Sequence, residues 1–164
     1  MTKDYLQNSI TESHQLNIIN KQIENWDYKE VNGKGLFKKY TGHYAYIELS
    51  ITPSVEDFRR NWVIWNVKEK QLPVQLGHKP VVEKVLSFFI DYLSAIKGKR
   101  IQLTIEIKDG CYHPVDTKAR DFETATIYAL INAFDKKARV IGLDDFEFIE
   151  KLKLDAIAKQ SKNK

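Results

Sequence analysis

Cys111, His113 and Asp116 fall within the seven residues Gly110-Cys111-Tyr112-His113-Pro114-Val115-Asp116. Those residue types could build a thiolate–imidazole pair or part of a metal site. The spacing argues against both. On an extended chain, residues i and i+2 point the same way but stand too far apart for the ring to reach the sulfur. Pro114 also stiffens the backbone after His113. A nucleophile needs oxyanion donors as well, and no Gly-rich nest lies nearby. Cys111, His113 and Asp116 match no structural zinc spacing, and His14, His43 and His78 are scattered along the chain. Neither GxxxxGK[ST] nor GxGxxG occurs, and Gly33-Lys34-Gly35 reads as a hairpin turn. The expectation is therefore a chain with no catalytic residues, no metal and no cofactor.

Binding is the stronger reading. Two loops at strand ends, around Thr41-Gly42-His43-Tyr44 and Cys111-Tyr112-His113-Pro114, each offer an aromatic ring and an imidazole. Such groups can stack on bases or contact phosphates. The blander alternative has Tyr112 packed under its loop and His113 solvated.

The elements that position these loops follow from periodicity. Leu16, Ile19, Ile23 and Trp26 form a helical stripe over Ser9 to Trp26, with Ser9 and Glu12 spaced as a capping box. Asn32-Gly33 signals a turn before a strand from Leu36 to Tyr40. Tyr44 to Ile51 alternates strictly, with Ala45, Ile47, Leu49 and Ile51 on one face and Tyr44, Tyr46, Glu48 and Ser50 on the other. Asn61 to Val67 is a third strand. Pro80 opens a helix carrying Val82, Val85, Leu86, Phe89 and Leu93, ended by Gly98. Arg100 to Lys108 alternates again, and Asp109-Gly110 then reads as a turn. Asp116 or Thr117 would cap a helix carrying Phe122, Ala125, Ala129, Leu130 and Phe134. Phe146, Phe148 and Leu152 suggest a short final strand and one amphipathic turn. The order α, β-β-β, α, β, α, β predicts an α+β two-layer sandwich. The division expected is an N-terminal helical extension over 1–28, a single domain over 29–150 and a basic tail over 151–164.

Composition agrees with a globular domain: 164 residues, 43% apolar and 12% aromatic. The first residues contain no apolar run suited to a signal peptide or membrane span. Cys111 is the single cysteine, so a cytoplasmic location without membrane partners is expected. The net charge is +4 and the pI about 9.0. From Lys151 onward, Lys151, Lys153, Lys159, Lys162 and Lys164 face only Asp155, a pattern that can hold phosphates loosely or simply stay solvated.

Three segments together resemble domain IV of translation elongation factor G. Lys108 to Thr117, continuing to Phe122, is similar to its DGxYHxVDS…F stretch. Phe37 to Ile47 resembles its FxxQxGGxGQYGHV segment, and Pro80-Val81-Val82-Glu83-Lys84 resembles the PAVEKG opening of its first helix. The stretch Pro114-Val115-Asp116-Thr117 with Asp121-Phe122 also resembles the tetracycline-resistance ribosomal-protection proteins. The resemblance covers about residues 29–150. It implies a mixed β-sheet with two helices on one face and a β-α-β unit with a left-handed crossover, here with an extra N-terminal helix.

It also implies ribosome or RNA binding. The family's domain IV enters the decoding site, and its tip loops would correspond to Gly42, His43 and Tyr44 and to Tyr112, His113, Pro114 and Asp116. Departures are visible. The first loop keeps only Thr41-Gly42 of the glycine-rich motif, His43 replaces Gln, and Ala119 replaces an acid. Nothing in the 164 residues resembles a GTPase domain, so GTP-driven translocation is not expected of this chain. Leu16, Ile19, Ile23 and Trp26 are expected to cover a surface that the factor's other domains would protect, while Tyr44, Tyr46 and Trp62 are exposed-face candidates. The alternative expectation is a protein-interaction domain that lost RNA binding, possible as a homodimer through the Tyr/Trp sheet face.

Overall fold

A computed structural model describes residues 14–39, 42–54, 60–138 and 143–162. A 3-10 turn, His14–Ile19, leads into the short helix α1 (Asn20–Glu24). Then follow β1 (Val31–Lys39), β2 (His43–Pro53) and β3 (Trp62–Trp65). After them come α2 (His78–Lys97), β4 (Leu103–Tyr112), α3 (Asp121–Phe134) and α4 (Leu143–Lys162). The strands form one sheet in the order β1-β2-β4-β3. β2 runs antiparallel to both neighbours, whereas β3 is parallel to β4 and reaches it through α2, the expected β-α-β unit.

The chain is an α+β two-layer sandwich. Ala45, Ile47, Leu49 and Ile51 of β2 and Leu103, Ile105 and Ile107 of β4 face the helical layer and are fully buried. Val82, Leu86, Phe89 and Leu93 of α2 and Phe122, Ala125, Ala129 and Leu130 of α3 complete this core. Leu16, Ile19, Ile23 and Trp26 join the same core, as their stripe predicts. The Ser9–Glu12 capping box lies outside the described residues.

Several local expectations are corrected. Asn32-Gly33 is not a turn: β1 begins at Val31 and pairs continuously from Val31↔Ile51 to Lys39↔His43. The glycines serve close packing instead. A Cβ on Gly33 would stand 1.9 Å from the Ala129 carbonyl oxygen, and one on Gly35 would stand 1.9 Å from that of Ala125. Gly33-Lys34-Gly35 is therefore the track on which α3 lies. Asp109-Gly110 is likewise inside β4, which continues to Tyr112. The register shifts between Glu48 and Leu49, which pair with Asp109 and Ile107, so Lys108 is the extra residue of a β-bulge.

The third correction concerns the C-terminal segment. Phe146, Phe148 and Leu152 lie on a helix of 20 residues, α4, and not on a strand. Phe146 and Phe148 imitate strand alternation, but Ile149, Leu152 and Ala156 fall at i, i+3 and i+7 and are buried. Ile149 and Leu152 cover Tyr44, Tyr46 and Cys111 on the sheet face opposite α2 and α3. Tyr44 and Tyr46 are thus buried, at 4% and 2% exposure, and of the expected exposed-face aromatics only Trp62 is exposed. Among the described residues no helix is long and apolar enough to cross a membrane.

Candidate nucleic-acid interface

At one end of the sheet, β1 turns into β2 and β4 runs into the loop that leads to α3. Gly42 adopts φ +91°, the left-handed region where glycine has no steric penalty. The two loops meet there: a Cβ on Gly42 would come within 3.2 Å of Asp116 Oδ1. Thr117 ties the second loop down. Its Oγ1 accepts from the His113 N–H at 2.6 Å and donates to the Tyr44 carbonyl oxygen, while the Thr117 N–H donates to the His113 carbonyl at 3.1 Å.

The same contacts correct the expected helix cap. α3 starts at Asp121, with Arg120 at its N-cap position. Thr117 is occupied by the loop, and Asp121 accepts the Lys118 N–H at 2.8 Å, holding the residues just before the helix. Asp121 is also placed where the helix dipole favours a negative charge.

Inside the second loop the His113 ring folds inward. Its Nδ1 accepts the backbone N–H of Asp116 at 3.1 Å and of Val115 at 3.3 Å. Accepting them requires a bare Nδ1, so the neutral ring carries its proton on Nε2. Asp116 Oδ2 also stands 3.2 Å from Nδ1, a contact that becomes an ion pair only in the charged ring. The loop thus presents a formed corner with Pro114 exposed and Val115 79% exposed at its apex.

His43 is held differently. Its Nδ1 lies 3.1 Å from Asp121 Oδ1 and 3.4 Å from Oδ2, and Asp121 is only 3% exposed. His43 lines an open cleft of about 340 Å³ between β1 and α3, together with Phe37, Lys39, Arg120, Thr124 and Tyr128.

The expected site residues therefore separate into three groups. Gly42, His113, Pro114 and Asp116 share one tip. His43 sits beside them but belongs to the cleft. Tyr44 and Tyr112 are drawn away: Tyr112 packs partly against the main core, and Tyr44 lies beneath α4, its ring edge-on to Phe148 and its hydroxyl 3.5 Å from Cys111 Sγ. Burial raises the Tyr44 hydroxyl above its ordinary value, with Cys111 adding to the effect. Burial likewise pushes the Cys111 thiol up to about 12, so it is neutral at physiological pH. Cys111 and His113, two apart in sequence, thus occupy different surroundings.

Lys39, Arg120 and Tyr128 were not singled out by sequence reasoning. Their positions depend on α3 lying along β1, and the one available signal was the pair of glycines that permits it.

No protein-family model matches the sequence. No curated protein matches it either. Among solved structures, the crystal structure of a Thermus thermophilus protein matches 66% of this chain with a TM-score of 0.51 and 21% identity. The match takes up 16% of that chain, so the present chain spans a small fraction of its length. At that identity the likeness is one of fold.

Proposed function

We propose that the chain is a non-enzymatic module that binds RNA, in the setting of the ribosome, through its paired tip loops. The observation that carries this reading is the meeting of Gly42 with Asp116 beneath an exposed, internally bonded apex at Pro114 and Val115. A corner already formed before binding loses less freedom on contact than a mobile loop would. The net charge of +4 supports it, because a basic surface gains affinity for phosphates by counterion release. The resemblance of Lys108 to Thr117 to the tip of elongation factor G domain IV supports the ribosome as the setting.

Cosedimentation with ribosomes across a salt series tests this. Binding should weaken steadily as salt rises and fall about tenfold in His113→Ala, a loss of about 1.4 kcal/mol. Salt-independent binding, or binding unchanged by that substitution, contradicts the proposal.

A second reading is a protein-interaction or homodimerising domain. It is favoured by Trp62 and Ile64, which share one side of the edge strand β3 at 44% and 49% exposure. Under that reading the chain sediments as a dimer, Trp62→Glu returns it to a monomer, and ribosomes do not retain it.

A further inference from the structure

We infer that the cleft between β1 and α3 is a seat for a single unpaired ribonucleotide, with the phosphate between Lys39 and Arg120 and the base against Phe37 and Tyr128. This inference rests on the reading of the chain as an RNA-binding module and assigns a second contact to it, on the flank of the tip.

The lining residues divide the work. Lys39 comes from the end of β1 and Arg120 from the residue before α3, so the two cations enter from opposite walls. Phe37 and Tyr128 line the cleft as an edge-to-face pair, with ring centroids 6.5 Å apart. That separation leaves no room for a base between them, but a base can stack on the outer surface of the pair, where Lys39 Nζ stands 5.4 Å from the Phe37 centroid and swings toward the phosphate as the base arrives. The volume of about 340 Å³ lies at the lower end of small-ligand sites, suited to one nucleotide and not to a duplex.

The acidic groups nearby are accounted for. Asp121 is buried, its oxygens are engaged by the His43 ring and the Lys118 N–H, and its charge is set against those of Lys39 and Arg120 across the cleft. Glu123 also lines the cleft, and it disfavours a clustered polyphosphate over a single backbone phosphate.

His43 supplies the discrimination. A carboxylate can only accept, so the neutral ring must donate its Nδ1 hydrogen to Asp121, leaving Nε2 as a bare acceptor. A bare acceptor beside a bound phosphate suits a ribose 2′-hydroxyl, the group that DNA lacks. The seat therefore prefers RNA over DNA of the same sequence.

The test is a titration of the full chain, followed by backbone amide chemical shifts, with a 5′-phosphorylated single-stranded RNA tetranucleotide and its DNA counterpart. Shifts at Lys39, His43, Arg120 and Thr124, with RNA bound at least fivefold tighter than DNA, are expected. Lys39→Glu combined with Arg120→Glu should weaken both ligands at least tenfold. His43→Phe keeps a ring but no acceptor, and should bring RNA affinity down to that of DNA while leaving DNA binding unchanged. Shifts confined to residues 115–117, or none at all, overturn the nucleotide seat. Equal binding of RNA and DNA overturns the role of His43. The two readings fail separately: loss of ribosome cosedimentation in His113→Ala with the cleft shifts intact leaves both standing, whereas cleft shifts in a chain that ribosomes never retain support the seat and sink the ribosomal setting.

Discussion

The tip and the outer face of the sheet are built from the same two strands, yet they treat neighbouring residues in opposite ways. On the outer face Tyr46 and Cys111, directly paired across β2 and β4, are sealed under α4. Four residues after Cys111, Val115 stands 79% exposed. The outer face is closed by a mixed seam. Lys153 of α4 pairs with Asp109 and lies over the Tyr46 ring, and Gln71 reaches both Asp109 and the Gly110 carbonyl. Burial alone would lower the Lys153 ammonium, but its bond and charge contact with Asp109 raise it instead. The tip uses its hydrogen bonds differently, to hold a loop open to solvent. The aromatic content of a strand end therefore does not identify a contact surface; what covers it decides.

Substitutions at paired positions test that contrast. Tyr46→Ala should cost about 3–4 kcal/mol, because it empties a fully enclosed site, and should lower the melting temperature by about 10 °C. Val115→Ala, on the same strand-and-loop unit, should change stability by less than about 0.5 kcal/mol in the same melting experiment. Equal effects would show that α4 does not seal the outer face.

Gly35→Ala probes the track that places α3, and with it Asp121 beside His43. The added methyl meets the Ala125 carbonyl, so α3 must shift at a cost of about 2–3 kcal/mol, and denaturant unfolding should show it. The amide of His43 should shift as well, because its partner Asp121 moves with the helix.

His78 distinguishes a buried histidine from His113 at the tip and His43 in the cleft. It is fully buried between Trp65 and Phe122, and neither ring nitrogen has a hydrogen-bond partner. Burial, helped by the neighbouring Lys79 charge, lowers it to about 4 from an ordinary 6.5. The unfolded chain then takes up the proton first as pH falls. The stabilising effect of a neutral His78 is complete above pH 6.5 and is lost progressively down to about pH 4, by roughly 2–3 kcal/mol. Unfolding measured across that range should show the decline, and His78→Phe should flatten it.

A smaller loss than at Tyr46, Gly35 or His78 is expected at the seam. Lys153→Met leaves the Asp109 carboxylate with Gln71 and the Gly110 N–H, and should cost about 1–2 kcal/mol. Amide exchange should rise in α4 before it rises in β4.

Much of this fold was legible in the sequence because it rests on strict periodicity. The inner faces of β2 and β4 and the stripe of Leu16, Ile19, Ile23 and Trp26 bury as their spacing predicts. Where a local signal competed with a tertiary demand, the local signal failed. Asn32-Gly33 and Asp109-Gly110 carry turn chemistry, yet one permits helix contact and the other follows a bulge. Within Gly110 to Asp116 the spacing separates Cys111 from His113, and the two do lie apart, one beneath α4 and the other in the loop. The cleft was not legible, since Lys39, His43 and Arg120 converge only once α3 lies on the glycines of β1.

The most direct test of the account is amide hydrogen exchange of the chain alone and with small ribosomal subunits. Slowed exchange at residues 42–44 and 115–117, with Trp62–Trp65 unchanged, is the predicted result. Exchange unaltered at both loops, or slowed only along Trp62–Trp65, would contradict it.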